Sequence, residues 1–312
     1  MGFWKQPQQT WARKALFQIH LWTGLVIGLY IILISVTGSV VVFRRDLTQM
    51  KLGNVPAADA TRQKMTEEQI REAALRKYPG WEVTGVGIPR RRLSAAEVTL
   101  VKDGQAIGQR FNPYTGAYMG EVRPRSVLVM EWLVDLHDNL LAGETGRRIN
   151  AAGGALLVLL CISGVVIWWR GARTWLKGLY FNPGSGWNRM NFDIHSALGF
   201  WSLLTLLLWG VTGIYFAYSE LFVAIVDYFE PPGSTNGPRR GDEFLAWIVK
   251  MHFGRYGGMG VRITYVIIGL LPAVLFVTGA ILWWNRVVRR SLSESSFVRL
   301  SRNGDRESGD VG

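Results

Sequence analysis

Four stretches of the sequence contain no Asp, Glu, Lys or Arg, and polar segments separate them. They cover residues 15–43, 149–169, 194–219 and 263–285. Each reaches the roughly 20 residues that an α-helix needs to cross a hydrocarbon core about 30 Å thick. The pattern therefore predicts four transmembrane helices. The first is not expected to be a cleaved signal peptide, because its apolar run is too long for one.

The polar segments complete a plan of the chain. In order, the prediction is a leader (1–14), transmembrane helix 1 (15–45), a polar insert (46–125), an interfacial helix and link (126–148), transmembrane helix 2 (149–170), a loop (171–190), transmembrane helix 3 (191–220), a loop with an interfacial helix (221–261), transmembrane helix 4 (262–286) and a tail (287–312). The tail is rich in Ser and Arg and is expected to be disordered.

The insert carries the signals of a small α+β domain. Residues 65–80 indicate a helix, with Thr66 as its N-cap and Gln69 at the capping-box position. Strand-like runs follow at 81–88, 96–101 and 106–112. The predicted fold class is a mostly α membrane protein with a small α+β domain inserted after helix 1.

The net charge of +12 is distributed in a way that favours membrane topology over nucleic-acid binding. Basic clusters precede helix 1, fill the loop between helices 2 and 3, and follow helix 4. Cytoplasmic segments of membrane proteins carry such an excess of Lys and Arg. Arg44, Arg45 and Lys51 oppose this assignment, but they begin a long loop, where charge counts for less. We therefore expect a multi-pass protein of the bacterial inner membrane, surrounded by lipid, with both termini cytoplasmic, the insert periplasmic and no nucleic-acid partner.

The four histidines stand at repeating distances from the glycines of Ser-Gly or Thr-Gly pairs. His137 precedes Gly164 by the same number of residues as His252 precedes Gly279, and His20 and Gly38 have the same spacing as His195 and Gly213. The separation of His20 from His137 is larger than that of His195 from His252, and the insert accounts for the difference. The prediction is two parallel repeats of two membrane helices each, related by a two-fold axis along the membrane normal.

Such an axis pairs His20 with His195 near the cytoplasmic side and His137 with His252 near the periplasmic side. A polar side chain at membrane depth is a functional hypothesis by default, and two facing imidazoles suit the axial positions of a haem iron. We expect two non-covalent haem b groups, because the chain has one cysteine, Cys161, and no C-x-x-C-H motif.

Four further residues are candidates at these sites. Gly24 and Gly199 each follow a histidine by four residues, share its helix face, and would let a macrocycle approach the backbone. Arg147 and Arg262 each follow a histidine by ten residues. They are candidates for pairing with haem propionates or, alternatively, for anchoring at the membrane interface.

Other interpretations stay open. Asp138 and Asp193 lie close to His137 and His195 in the sequence and would suit an ion pathway, although Asp193 also fits the N-cap of helix 3. The Trp-Trp pairs at 168–169 and 283–284 fit interfacial anchors, with electron-relay aromatics as the alternative.

Several segments resemble the PepSY-associated transmembrane family. They are HLWTGLVIGLYIILISVTGSVVVF (20–43), IHSALGFWSLLTLLLWGVTGIY (194–215), two G-x-x-x-W-W helix ends, and FNPYTGAYMG (111–120). The last is similar to the D-P-x-T-G-like turn of a PepSY domain, with Asn112 in place of the acidic residue. Members are described as iron-regulated membrane proteins, and some resemble inner-membrane reductases that release iron from ferric siderophores. The resemblance implies that the four histidines are the haem ligands.

Two functional hypotheses follow. In the first, an external donor reduces the haem at His20 and His195, the electron passes to the second haem, and a periplasmic acceptor is reduced. The resemblance implies a ferric siderophore as that acceptor, and therefore a haem-dependent ferric-siderophore reductase. The donor is external because no flavin or nicotinamide fingerprint is visible. Arg90, Arg91 and Arg92 would attract an anionic chelate or form an ordinary solvated turn.

The second hypothesis is a membrane-anchored regulatory or binding module without redox activity. Its PepSY-like insert would bind a partner protein, and the helices would only anchor it. This alternative leaves the equivalent positions of the four histidines unexplained.

Overall fold

The computed structural model describes residues 10–170, 174–233 and 237–289, which form two compact units. The helical bundle comprises Met1–Val42 and Asp135–Gly312, and the inserted unit comprises Phe43–Val134. Most of the predicted leader and tail, including the segment expected to be disordered, lies outside the described residues.

Ten α-helices are formed by the described residues. In chain order they are α1 (Trp11–Val26), α2 (Gly28–Val41), α3 (Arg44–Leu52), α4 (Glu67–Lys77), α5 (Arg125–Asn139), α6 (Gly143–Trp168), α7 (Trp187–Ala217), α8 (Ser219–Phe229), α9 (Arg240–His252) and α10 (Met259–Trp283). A π-helical turn over Trp284–Val288 continues α10.

Three of these helices, α6, α7 and α10, are each long and apolar enough to cross a membrane. The predicted first span is instead the pair α1 and α2, which meets the same test only together and is bent by 62° at Ile27. The described residues therefore hold three candidate membrane spans, or four if the bent pair counts as one. Leu29, Leu204 and Ile267 are 78%, 79% and 60% exposed, as expected of side chains that face lipid.

Small residues set the close helix contacts of the bundle. A Cβ on Gly154 of α6 would lie 2.7 Å from the carbonyl oxygen of Gly210 on α7, so these helices touch backbone to backbone. A Cβ on Gly28 would collide with the ring of Phe276 on α10 at 1.8 Å. Tight packing through small residues is how helices associate in lipid, where no hydrophobic driving force acts between them.

The inserted unit contains an antiparallel sheet in the order β1 (Glu82–Gly87), β2 (Ala96–Lys102), β3 (Gln105–Phe111) and β4 (Tyr118–Glu121). Helix α4 has the predicted capping box, in which the Thr66 hydroxyl accepts from the Gln69 backbone and the Gln69 side chain accepts from the Thr66 backbone. In the core of the inserted unit, α4 packs against the sheet. The buried residues there are Ile70, Ala74, Val83, Ala96, Val98, Leu100 and Phe111. Strand β4 was not expected from the sequence, which indicated only a turn there.

The turn before β4 depends on Asn112, which is buried. Its side-chain oxygen accepts from the backbone N–H of Tyr114 at 2.9 Å, and its amide donates to Asp59 at 2.8 Å. An amide can make both contacts, whereas an ionised aspartate in its place would face Asp59 as a like charge.

Candidate functional site

The bundle brings His20 of α1 and His195 of α7 together. Their ring centres are 6.4 Å apart, and the ring planes are nearly perpendicular at 88°. The two residues lie in different halves of the sequence, so the contact arises from the packing of the helices. This is the pair that the repeat spacing predicts.

A hydroxyl group orients each of these two rings. The Nδ1 atom of His20 lies 2.9 Å from Ser163 Oγ, and that of His195 lies 2.9 Å from Thr278 Oγ1. Each hydroxyl donates its own hydrogen to a backbone carbonyl four residues earlier in its helix. A hydroxyl has one hydrogen and two lone pairs, so it accepts from the Nδ1–H of the imidazole. The Nε2 lone pair of each histidine is therefore left for another partner.

His137 and His252 have the same arrangement, although their helices are not membrane spans. His137 Nδ1 is 3.2 Å from Thr37 Oγ1 of α2, and His252 Nδ1 is 2.5 Å from Thr212 Oγ1 of α7. Both hydroxyls again donate to the carbonyl four residues earlier. Helices α5 and α9 thus return these two histidines to the bundle.

Burial also affects the protonation of His137 and His252. Burial lowers the pKa of His137 against the opposing charge of Asp138. Burial lowers the pKa of His252 most, and the charges of His137 and Arg255 lower it further. Both shifts favour the neutral imidazole, which is the form that binds metals.

The sequence separations between the histidines and their hydroxyl partners differ between the two halves of the chain by one fixed amount. Ser163 and Thr278 are 143 and 83 residues from their histidines, and Thr37 and Thr212 are 100 and 40 residues from theirs. The distance in the first half exceeds the distance in the second half by the same amount in both cases. That amount also equals the difference between the two His–His separations in the sequence.

The glycine that follows each hydroxyl residue makes room for a ring in three of the four cases. A Cβ on Gly164 would lie 3.3 Å from His20 Cε1, and one on Gly279 would lie 3.2 Å from His195 Cε1. On Gly38 it would lie 2.8 Å from His137 Cε1, whereas on Gly213 it would meet nothing within 4 Å. The nearest described atoms to three of these four glycines thus belong to imidazoles.

A cavity of about 890 Å³ surrounds His20 and His195, within the range of about 300–1,000 Å³ typical of small-molecule and cofactor sites. Gly24 and Gly199 both line it, as their proposed role requires. A Cβ there would have a leucine methyl at 3.7 or 3.9 Å as its nearest neighbour. Trp168 and Trp283 also line this cavity, so one tryptophan of each predicted anchor pair belongs to its wall.

Arg147 and Arg262 do not line this cavity. Arg147 lies on the first turns of α6 and forms an ion pair with Asp138 at 2.7 Å. Arg262 is the fourth residue of α10. Both arginines lie near the N-terminal ends of their helices, whereas the C-terminal ends line the cavity. Any pairing of these arginines with haem propionates would therefore be at His137 and His252.

The expectation that Asp193 caps helix 3 is wrong. Helix α7 begins at Trp187 with Gly186 as its N-cap, so Asp193 lies two turns inside it. Asp193 is buried and pairs with Arg189 at 3.1 Å and with Arg170 at 3.6 Å. The apolar pattern misplaced the helix start because its first two turns are polar and basic, and the pairs stabilise a carboxylate there.

The carboxylates do not add to the histidines as metal ligands. Asp138 and Asp193 are both in ion pairs with arginines. Within the described residues, no group of three or more His, Cys, Asp or Glu side chains could hold a metal ion by itself. Each histidine pair therefore offers two nitrogen ligands.

The three consecutive arginines of the inserted unit, Arg90, Arg91 and Arg92, are all exposed. Arg92 is nevertheless tied to the fold, because it donates to the carbonyl oxygen of Ala60 at 2.9 Å. An electrostatic role for this turn thus rests mainly on Arg90 and Arg91.

The sequence profile of the PepSY-associated TM region matches residues 17–240 and 227–286. The chain belongs to this family. The PepSY-associated TM match includes all four histidines and all four hydroxyl residues that bind them. The chain is also similar to an uncharacterized protein of Pseudomonas aeruginosa, with 34% identity over 109 residues, which is 33% of this chain and 26% of that protein. The match thus spans about a quarter of that relative's length.

The hydroxyl residues of this PepSY-associated TM chain are the part of the site that sequence reasoning missed. They are Thr37, Ser163, Thr212 and Thr278. A signal was present, because each one precedes the glycine that served to measure the repeat. The spacing located the pairs, but only the structure shows that their hydroxyls face the histidines.

Proposed function

We propose that this member of the PepSY-associated TM family is a di-haem b electron-transfer protein of the bacterial inner membrane. It passes electrons from an external donor to a ferric siderophore or a similar acceptor on the periplasmic side. In this role it is a haem-dependent reductase of iron acquisition.

The observation that carries the proposal is the shared state of the four imidazoles. Each donates its Nδ1–H to a hydroxyl and keeps a free Nε2 lone pair. Metal-binding histidines almost always donate their other ring N–H to such a partner, which fixes the tautomer and the ring orientation. An ordinary buried histidine has no reason to repeat this arrangement four times.

The spacing of His20 and His195 fits one iron ion between them. An imidazole nitrogen binds a transition metal at about 2 Å and lies about 1 Å from its ring centre, so two opposed ligands place their ring centres about 6 Å apart. The observed 6.4 Å agrees with this value. The four nitrogens of a tetrapyrrole complete the ligands of the iron, and the cavity with Gly24 and Gly199 in its wall accommodates a flat macrocycle.

His137 and His252 are proposed to hold a second haem. The support is the same Nδ1 hydrogen bonding and the same constant offset of their partners along the chain. We accordingly propose that the bundle consists of two parallel repeats about an axis along the membrane normal. The N-terminal end of α1 and the C-terminal ends of α6 and α10 would then face the cytoplasm, and the inserted unit and α9 the periplasm.

Bound haem would supply a one-electron carrier at each histidine pair. The chain would hold each iron through paired imidazoles, whose tautomers the hydroxyls fix. Apolar side chains around His20 and His195 would exclude water there. One electron is consumed for each ferric ion reduced to ferrous, and an external donor supplies it. Arg90 and Arg91 of the inserted unit would attract an anionic ferric chelate.

Absorption spectroscopy of the purified protein tests haem binding. A Soret band, sharp α and β bands after dithionite reduction, and two haems per chain are expected. A colourless protein purified from haem-replete cells would contradict the proposal. That result would favour the regulatory or binding module, in which the inserted unit acts without a redox cofactor.

Reductase activity is tested in proteoliposomes with a ferric siderophore outside and a ferrous-iron chelator to report the product. With a reductant that reaches the cytoplasmic side, the wild type is expected to produce ferrous iron and His195→Ala to lose this activity. Thr264→Ala is a suitable control, since Thr264 is exposed and its hydroxyl bonds to Gly260 of its own helix. Equal rates in wild type and His195→Ala would refute the electron path.

A further inference from the structure

The cavity around His20 and His195 has a polar mouth whose two halves differ in charge. Arg13 lies seven residues before His20, and Asn188 lies seven residues before His195. Arg170 and Asn285 lie six residues after Gly164 and Gly279, the glycines that face these two rings. All four line the cavity. Asn285 donates to Asn188 at 3.1 Å, whereas the equivalent positions in the other half are two arginines. A neutral hydrogen-bonded pair thus stands where the other half has two like charges.

The positive charge of the mouth exceeds its negative charge. Two more arginines, Arg189 and Arg286, also line the cavity. Arg170 and Arg189 share one carboxylate, that of Asp193. Arg13 bonds to a backbone carbonyl, and Arg286 lies over the ring of Phe17 at 4.3 Å. Arg13 and Arg286 have no carboxylate partner among the described residues.

Two buried donors in the same lining lack acceptors. Trp283 Nε1 and Arg170 Nη2 are buried and have no hydrogen-bond partner in the described structure. Arg170 Nη2 lies 3.6 Å from Asp193 Oδ1, which is also buried without a hydrogen bond, so the indole of Trp283 is the clearer case. The equivalent indole of Trp168 is satisfied, since its Nε1 donates to the carbonyl oxygen of Gly178 at 3.1 Å. A buried donor without an acceptor is costly, so these atoms indicate an acceptor on the ligand.

We propose that this mouth is the carboxylate-binding site of the haem at His20 and His195. Arg13, Arg170 and Arg286, together with the indole N–H of Trp283, bind the two carboxylates of the haem that His20 and His195 ligate. The inference rests on the proposed function and adds a second anchor at the cavity. Two guanidinium groups without carboxylate partners match two carboxylates, and charge-assisted hydrogen bonds of this kind are about twice as strong as neutral ones.

The test compares haem with its dimethyl ester, which keeps the ring and the iron but has no carboxylates. Both are titrated into the full-length apoprotein in a non-ionic detergent without lipid, so that no phosphate headgroup occupies the mouth. The titrations use the wild type and a His137→Ala background, in which the inner pair is the complete ligand set. The ester is expected to bind at least about tenfold more weakly than haem, since each charged hydrogen bond contributes about a factor of ten.

Variants locate the effect. In Arg13→Gln/Arg286→Gln, haem is expected to lose most of its advantage over the ester, because only Arg170 and Trp283 remain as carboxylate partners, while ester affinity stays unchanged. Arg148→Gln is the matched control, because Arg148 is exposed, pairs with Glu144 on α6 and does not line the cavity. It should retain the full preference for haem.

The outcomes separate this inference from the proposed function. If haem and ester bind the wild type equally, or if the double variant keeps the preference, the mouth is not the carboxylate site, although haem binding stands. If neither compound binds the wild type, the proposed function fails and this inference with it. The wild-type comparison needs no substitution, so misfolding of a variant cannot hide the result.

Discussion

At the scale of single residues, the proposed function depends on hydroxyl groups that hold the imidazoles in place. In a helix, a Ser or Thr hydroxyl that bonds to the carbonyl four residues earlier turns its remaining lone pairs outward. That geometry gives Ser163 and Thr278 a fixed acceptor for an imidazole N–H. The orientation of each imidazole is thereby fixed by a Ser or Thr on a different helix from the histidine.

Replacing Thr278 by Val keeps the side-chain shape and removes this acceptor. The Nδ1–H of His195 would be left without a partner, and loss of such a contact typically costs about 10–100-fold in metal affinity. We expect haem to dissociate about that much more readily to an excess acceptor protein, followed by absorbance. Thr278→Ser should behave as wild type, and equal haem retention in the Val and Ser variants would argue against an orienting hydroxyl.

The glycines next to the hydroxyls offer a steric test. In Gly164→Ala, the new Cβ would stand 3.3 Å from His20 Cε1, which forces the ring to move by a few tenths of an ångström. We expect a lower haem content and an altered Soret band. Gly213→Ala should have no effect, because a Cβ there meets nothing within 4 Å. Similar losses in both variants would mean that the effect is a general one on the helices.

At the scale of elements, hydropathy predicts that a helix crosses the membrane better than it predicts its shape. The run 15–43 has no Asp, Glu, Lys or Arg and no proline, so neither a charge nor a proline marks a break. The bend at Ile27 lies next to Gly28, whose missing side chain lets α2 approach Phe276 of α10. A contact between the first and the last membrane helices of the chain is not visible in a single sequence.

Helices α5 and α9 show the same division between what the sequence reveals and what it hides. Their amphipathic patterns were visible, and so was the equal spacing of His137 and His252. Whether those histidines reach the bundle or stay in water depends on tertiary contacts with Thr37 and Thr212. By contrast, the capping box of α4 was predictable because it is formed by residues three apart.

That capping box allows a test of stability within the inserted unit. Thr66→Ala removes the acceptor for the Gln69 backbone N–H, and loss of an N-cap costs about 1 kcal/mol. We expect faster amide hydrogen exchange in α4 of the full-length protein, with the β2 and β3 amides less affected. Thr66→Ser should restore protection, and unchanged exchange in Thr66→Ala would show that the cap does not limit opening of α4.

At the scale of the whole molecule, the histidines that are close in space come from distant parts of the chain. Burying two imidazoles in an apolar cavity costs free energy unless they bind a ligand. The repeat spacing predicted that His20 meets His195, and the structure brings these two rings together. The pairing of His137 with His252 stays a prediction. The spacing did not predict the arginine mouth, where the copies differ and Asn188 takes the position equivalent to Arg13.

The proposed function requires that His20 and His195 hold one iron together. The most direct measurement is the reduced-minus-oxidised spectrum of the wild type, His20→Ala, His195→Ala and His137→Ala. His20→Ala and His195→Ala are expected to lose the same spectral component and keep the other, while His137→Ala loses the other one. If His20→Ala and His137→Ala instead lose the same component, or if the wild type has no haem spectrum, the account is contradicted.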